Sequence, residues 1–464
     1  MVKRYIIVSS ELFAISPIDG RYKKEIGDLH KYFSEFALIR ERVYIEIKYL
    51  NFILRLLGKN VDSSLTKALE GVYEDFDVED ATEIKKLEEK FDHDVKAIEV
   101  YLEKFVGEYS PYVHFGLTSE DVNNLAYGRL LTRFMKEVYL PALVALIKSL
   151  VKLATRHTDS PMLARTHGQP ASPTTFGKEI GLYAYRLARF LRRISRIRVS
   201  GKLNGAVGNF NALVAAYPDI DWIREVPIFI EELGLEPELF STQILPYESY
   251  IDLFNNVASV NAILTNLCRD MWMYYSFGYI SLESEKLQVG SSTMPHKVNP
   301  KGFENSEGNL KLANSLLHLY ANELLVNRLQ RDLSDSTIRR NFGVAMAHSI
   351  LAYRRLSREL GRLTFNKKRA TEDLNNHGEV FSEALQTILR REGVNEAYFK
   401  VLGKVKGRTY TLKQIESIAR SVSPSPRVSK EFETIVKEKY LGLAPQLARM
   451  MIEQTKQIIS MNVN

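Results

Sequence analysis

Three stretches of this chain have the length of extended helices and are apolar on nearly every side: the middle of Phe134 to Ala154, and parts of Tyr250 to Ile280 and Leu310 to Leu329. A helix with no wet face has to be surrounded by other helices. In Ile180 to Ile197 the pattern is one-sided: Ile180, Tyr183, Ala184, Leu187, Leu191, Ile194 and Ile197 recur at spacings of three and four, and arginines occupy much of the remaining surface. That spacing predicts one amphipathic helix. No stretch alternates with period two for long enough between turn signals to predict a sheet. The expected fold is therefore all-α, with long central helices in a bundle. These helices carry more apolar surface than one bundle would easily cover, which predicts an oligomer core.

Turn-forming residues collect at Gly107 to Pro111, Gly201 to Asn211 and Ser421 to Pro426, and a segment rich in Arg and Lys runs from Arg354 to Arg369 ahead of a less hydrophobic tail. The expected division is an N-terminal helical domain over 1–111, a central long-helix bundle over 112–360 and a C-terminal helical domain over 361–464. A content of 45% hydrophobic and 26% charged residues is that of an ordered globular chain. The longest apolar run, Val138 to Ile147, falls short of the roughly 20 residues that span a bilayer, so no membrane segment is expected. Met1 to Val8 is basic and then apolar, but Ser9, Ser10 and Glu11 end it before the core of a signal peptide is reached. The single Cys268 excludes an internal disulfide framework and agrees with a reducing, cytoplasmic setting; a buried, inert thiol is expected. The net charge of +7 is dispersed among acidic residues and no basic run is interleaved with aromatics, so an anionic small substrate is expected and not nucleic acid.

Three polar clusters exceed what helix packing requires, and a fourth carries an imidazole between carboxylates. Gly290-Ser291-Ser292-Thr293-Met294-Pro295-His296-Lys297-Val298-Asn299-Pro300 places hydroxyls and a cation in a Gly-started, Pro-stiffened loop, over 288–302. Thr166-His167-Gly168-Gln169-Pro170-Ala171 puts an imidazole and an amide on a turn. His114 to Asp121 reads as a helix start with Ser119 as N-cap and Glu120 and Asp121 in the first turn, a place that also binds anions through backbone N–H groups. Asp92-His93-Asp94 reads as an imidazole among acidic neighbours on a surface helix.

The first loop resembles the signature loop of the fumarase/aspartase superfamily. Together with Ser16 to Tyr22, His93 to Ala97, Thr118-Ser119, Thr166 to Glu179, Gly205 to Asn209 and Arg331 to Ser336, it resembles the adenylosuccinate lyase family within that superfamily. The resemblance covers most of the chain but fades after about Asn366. It implies a three-domain fold whose central bundle forms a homotetramer core, with active sites shared between subunits and neither metal nor organic cofactor. The implied reaction is an anti β-elimination releasing fumarate from succinylated purine nucleotides. Ser291 matches the family's base, with Ser292 as the alternative, and His167 matches its general acid. Lys297 and Asn299 suit the developing negative charge, Glu304 would orient His167, and His93 would contact substrate and assist charge balance. Arg21, Tyr22, Arg331, Ser336 and Arg340 match positions around the nucleotide and its phosphate; Thr118, Ser119 and Gln243 match those around the succinyl part. Asp92, Asp94, His114 and Met294 complete the implied binding set. Another fumarate-releasing lyase, acting on argininosuccinate, aspartate or malate, and a catalytically silent helical homologue are the competing expectations.

Overall fold

The computed structural model describes residues 10–59, 63–283, 293–294 and 296–462. Helices dominate, as the periodicity predicts: Glu35–Leu56, Phe176–Ile194, Glu248–Ser276, Lys301–Glu323, Phe342–Gly361 and Ala444–Asn462 are among the longer ones. The chain is also continuously helical from Ser119 to Arg156, with a π turn at Met135–Tyr139. An 18-residue window of that helix reaches a mean hydropathy of 1.6, which by length and composition could cross a membrane. Within the protein 56% of the window is buried, as in a core helix, and its apolar character extends well beyond the run Val138 to Ile147. Contacts divide the chain into two compact units, the first comprising 1–142, 193–262 and 309–351, the second 143–192, 263–308 and 352–464.

Sheet is present where the sequence predicts none. Among the described residues there are three two-stranded sheets: an antiparallel hairpin of Pro161–Thr166 with Gln169–Thr175, a parallel pair of Ser200–Gly201 with Glu236–Pro237, and an antiparallel pair of Ile280–Leu282 with Leu363–Phe365. The hairpin escaped because Pro161, Pro170 and Pro173 break any alternating pattern and lack a donor, which a two-stranded ribbon tolerates since each strand has an unpaired edge.

In the first unit, Ser34 caps Glu35–Leu56 by accepting from the Ala37 N–H at 3.1 Å. Asp77 and Asp80 form a capping box at the start of Val78–Phe91. That helix ends at Asp92, whose φ of 51° is left-handed, and His93 at once caps Asp94–Val106 by accepting from the Lys96 N–H at 3.1 Å. Asp92 and His93 thus occupy a tight corner between two helices and not the surface helix expected of them. The N-cap of Ser119–Phe134 is Thr118, whose N–H donates to Asp121 Oδ2 at 3.0 Å, so Ser119 is the first helical residue and the expected cap is one position late. The side-chain core includes Tyr49, Phe52 and Phe229, with Phe52 and Phe229 centroids 4.9 Å apart.

The second unit contains a core around Phe381, Leu385, Leu389, Ile415, Val428 and Phe432, built from helices from Lys367 onward and including Leu163 of the hairpin. Phe176 stacks on Phe365 at 4.4 Å, joining the helix after the hairpin to the short strand Leu363–Phe365. Cys268 is buried and free, and burial pushes its thiol up to about 12, which leaves it inert as expected.

Candidate active site

A groove of about 560 Å³ in the first unit is lined by residues from five separate chain regions, among them Asp92, His93, Asp94, Thr118, Ser119, Gln243, Arg331, Ser336 and Arg340. Nine implied site residues therefore converge in one place. Sequence reading missed Arg42, Glu88, Glu120, Asn123, Tyr127, Leu333 and Arg339, which complete the lining.

The groove rests on buried charge. Glu120 is 1% exposed and takes a bidentate pair of hydrogen bonds from Arg339, at 2.6 and 2.9 Å, while Arg331 Nη1 lies 2.8 Å from its Oε2. Arg339 Nη2 also lies 2.7 Å from Asp335 Oδ2. Burial alone would push the Glu120 carboxyl up, but the two guanidinium groups overcome it and hold the group below the usual carboxylate range. On the opposite flank Arg42 donates to Asp94 at 2.7 Å and to Asn123 at 2.8 Å. Asp94 is likewise held low by Arg42 against its burial. Arg340, about half exposed, donates to Ser336 Oγ, which leaves it the most accessible cation of the groove's four arginines. Because His93 Nδ1 accepts the Lys96 N–H, the neutral ring carries its proton on Nε2, 3.5 Å from Ser119 Oγ.

The helix start is fixed from beneath. Asp121 is fully buried, lies 2.9 Å from the fully buried Lys202 Nζ, and accepts from the Asn204 and Gly205 N–H groups at 3.2 and 3.1 Å. Gly205 to Asn209 is thereby tied to Thr118. Gly208 has a φ of 84°, and a Cβ there would stand 2.1 Å from the Ser241 carbonyl, so only glycine fits. The neighbouring Gln243 side chain donates to the Ala206 carbonyl at 2.9 Å.

His114 does not line the groove. Its Nδ1 sits 2.6 Å from Glu46 Oε1 and its Nε2 3.8 Å from Glu99 Oε1, at a left-handed φ of 55°. Burial pushes its pKa down, but Glu46 and Glu99 outweigh that and leave it raised, so the imidazole is tied to two carboxylates beside the groove. Arg21 is exposed in the Ser16 to Tyr22 turn, which the Tyr22 N–H closes on the Pro17 carbonyl at 2.9 Å; neither Arg21 nor Tyr22 is in the groove's lining.

His167, Met294, Lys297, Asn299 and Glu304 belong to the second unit, whereas Ser291 and Ser292 lie outside the described residues. His167 and Gly168 are the two central residues of the hairpin turn, with φ of 53° and 75°. Positive φ at both positions defines a type I′ turn, the tight connection that matches strand twist. The imidazole is exposed at its tip. Lys297 is also exposed, its N–H closing a turn on the Met294 carbonyl at 3.1 Å, and Tyr275 OH holds the following Val298 carbonyl at 2.8 Å. Glu304 stands in the first turn of Lys301–Glu323 and accepts from Trp272 Nε1 at 3.1 Å. Among the described residues no hydrogen bond or ion pair joins it to His167, and no group of three His, Cys, Asp or Glu side chains is placed to hold a metal ion.

The fold is one shared with lyases: the crystal structure of fumarate lyase from Mesorhizobium sp. BNC1 aligns with a TM-score of 0.73 at 20% identity, covering 92% of this chain and 97% of that one. The family described as Lyase matches residues 20–314, and the one described as Adenylosuccinate lyase C-terminal matches residues 327–441. The chain is 40% identical over 452 residues to adenylosuccinate lyase of Buchnera aphidicola subsp. Baizongia pistaciae, which covers 96% of this chain and 98% of that protein. Identity to adenylosuccinate lyase of Legionella pneumophila subsp. pneumophila is 39% over 452 residues, covering 94% and 98%. The chain belongs to the adenylosuccinate lyase family.

Proposed function

We propose that this protein cleaves adenylosuccinate to AMP and fumarate, and the succinylated aminoimidazole carboxamide ribonucleotide to its parent nucleotide and fumarate, as a cytoplasmic homotetramer. The observation that carries the reading is the groove itself. It sets the guanidinium groups of Arg331 and Arg340 and the Ser336 hydroxyl in one space with His93, Thr118, Ser119 and Gln243. Arginine suits a phosphate through its forked donors, and a helix start with hydroxyls suits a carboxylate.

The chemistry asks for groups on both faces of the substrate. A proton leaves the carbon next to a carboxylate, so a base and strong stabilisation of the resulting charge are needed. Ser291 takes that proton, and Lys297 and Asn299 face the doubly charged carboxylate. His167 protonates the departing nitrogen, the role a positioned imidazole most often fills. Glu304 orients His167 from another subunit, which agrees with its being hydrogen-bonded to Trp272 within its own chain. Leu312 and Leu319, one heptad apart on Lys301–Glu323, stay 48% and 45% exposed, and such a stripe supports burial against a second copy.

An absorbance assay with adenylosuccinate tests the activity. Steady loss of substrate absorbance is expected; fumarate from argininosuccinate, aspartate or malate, with none from adenylosuccinate, would replace this reading by one of those lyases. Mixing His167→Ala and Ser291→Ala proteins after dissociation should restore up to about a quarter of the sites if two chains supply the residues of each. Verified mixed tetramers without activity would place both groups on one chain.

A further inference from the structure

Beyond Asn366, where the sequence resemblance fades, one carboxylate joins two parts of the second unit, one of them the hairpin that carries His167. Asp373 lies on the helix Lys367–Asn375 and is 13% exposed. Arg165 Nη2 donates to its Oδ2 at 2.9 Å. Arg165 is two residues before His167, faces Pro170 across the hairpin, and stands 4.9 Å from the Phe277 ring centre. The Tyr279 hydroxyl donates to the same Oδ2. Tyr279 precedes the strand Ile280–Leu282, from which the chain continues toward Ser291, and its carbonyl accepts the Asn366 N–H at 2.7 Å. On the other side His377 Nε2 lies 3.7 Å from Asp373 Oδ1, and its Nδ1 lies 2.8 Å from Glu379, which in turn accepts the Tyr410 N–H at 2.9 Å. A single carboxylate oxygen thus holds both the hairpin and the strand, and a chain of polar contacts ties that carboxylate into the C-terminal helices.

We propose that Asp373 is a positioning residue for the elimination: through Arg165 it sets the hairpin that presents His167, and the Tyr279 hydroxyl holds the carboxylate in place to do so. This rests on the role given above to His167. An acid at the tip of a two-residue turn has no packing of its own to fix it, so its placement is inherited from the strand beneath, and Arg165 is the side chain that anchors that strand's end. A displacement of about 1 Å at a reacting group can cost a hundredfold in rate.

The test compares Asp373→Ala, Asp373→Glu, Tyr279→Phe and His167→Ala with the parent, each as assembled enzyme at a temperature where circular dichroism shows it folded. Asp373→Ala is expected to lower kcat by about ten- to a hundredfold while KM stays within about threefold, because substrate binding in the groove is not touched. Tyr279→Phe should show a smaller fall of the same kind, and Asp373→Glu should regain part of the loss. The solvent deuterium isotope effect on kcat should rise in Asp373→Ala as proton transfer becomes limiting, which lost stability alone would not produce. Parent kcat in the folded Asp373 and Tyr279 variants, beside an inactive His167→Ala, overturns the positioning role alone. Full activity of His167→Ala overturns it together with the acid assignment, since no acid is then there to be placed. If Asp373→Ala does not fold, Tyr279→Phe decides by the same two readouts.

Discussion

Asparagine in place of His167 will lower turnover by roughly two to four orders of magnitude and leave the hairpin folded, the range expected for loss of a general acid. The backbone explains the choice of substituent. At a φ of 53° most side chains are strained, whereas asparagine tolerates the left-handed region and is a preferred residue of this turn. Its amide can still donate a hydrogen bond to the substrate but cannot release a proton near neutrality, so the variant separates binding from protonation. Alanine at the same site would lose the hydrogen bond to substrate together with the acid, so the two effects could not be told apart. Turnover is followed by absorbance and folding by thermal melting; a variant that melts with the parent and keeps a tenth or more of its kcat would remove His167 from the mechanism.

His167 also shows how far the sequence could be read. Its composition, an imidazole between a threonine and Gly-Gln-Pro, marked a functional turn, and the structure puts a turn there. That the turn joins two strands was hidden, because the prolines that suit a ribbon erase the alternation by which strands are recognised. The all-round apolar helices were legible for the opposite reason: burial on every side leaves a compositional trace that no partner can alter. Buried charges leave none, since Glu120, Arg339 and Arg42 look in sequence like any solvated helix residue. Position offers a partial signal. Arg42 and Glu46 share the phase of the core residues Leu38, Tyr49 and Ile53 along Glu35–Leu56, and a charge at a core phase points to a buried pair. The cap, expected at Ser119, had a signal that places it at Thr118 instead, because Asp121 stands three residues after Thr118, the spacing of a capping box. The second-unit anchor at Asp373 had no local signal at all, as Arg165 and Tyr279 are 208 and 94 residues away from it.

Removing Glu120 is expected to be the most destabilising single change at the groove. Glu120→Ala leaves Arg339, 3% exposed, without its two charge-assisted bonds and Arg331 without its carboxylate. Breaking a buried pair from one side costs about 3–5 kcal/mol, a large part of the roughly 5–15 kcal/mol that holds a domain together. Glu120→Gln keeps the shape and one acceptor, so it should fold, melt lower and raise KM, because Arg331 loses the charge that holds it in the groove. The pH dependence fixes the sign. The Glu120 carboxyl is held below its ordinary value, so its contribution is complete above its unfolded pKa of about 4.3 and is lost as pH falls through the lower folded value. Asp335, pushed up by burial ahead of its arginine neighbours, acts in the opposite sense, and it is present in both proteins. The gap in melting temperature between parent and Glu120→Gln should therefore be widest near neutrality and narrow below pH of about 4. A gap that stays constant down to acid unfolding would mean that the glutamate serves Arg339 and Arg331 through its shape and not its charge.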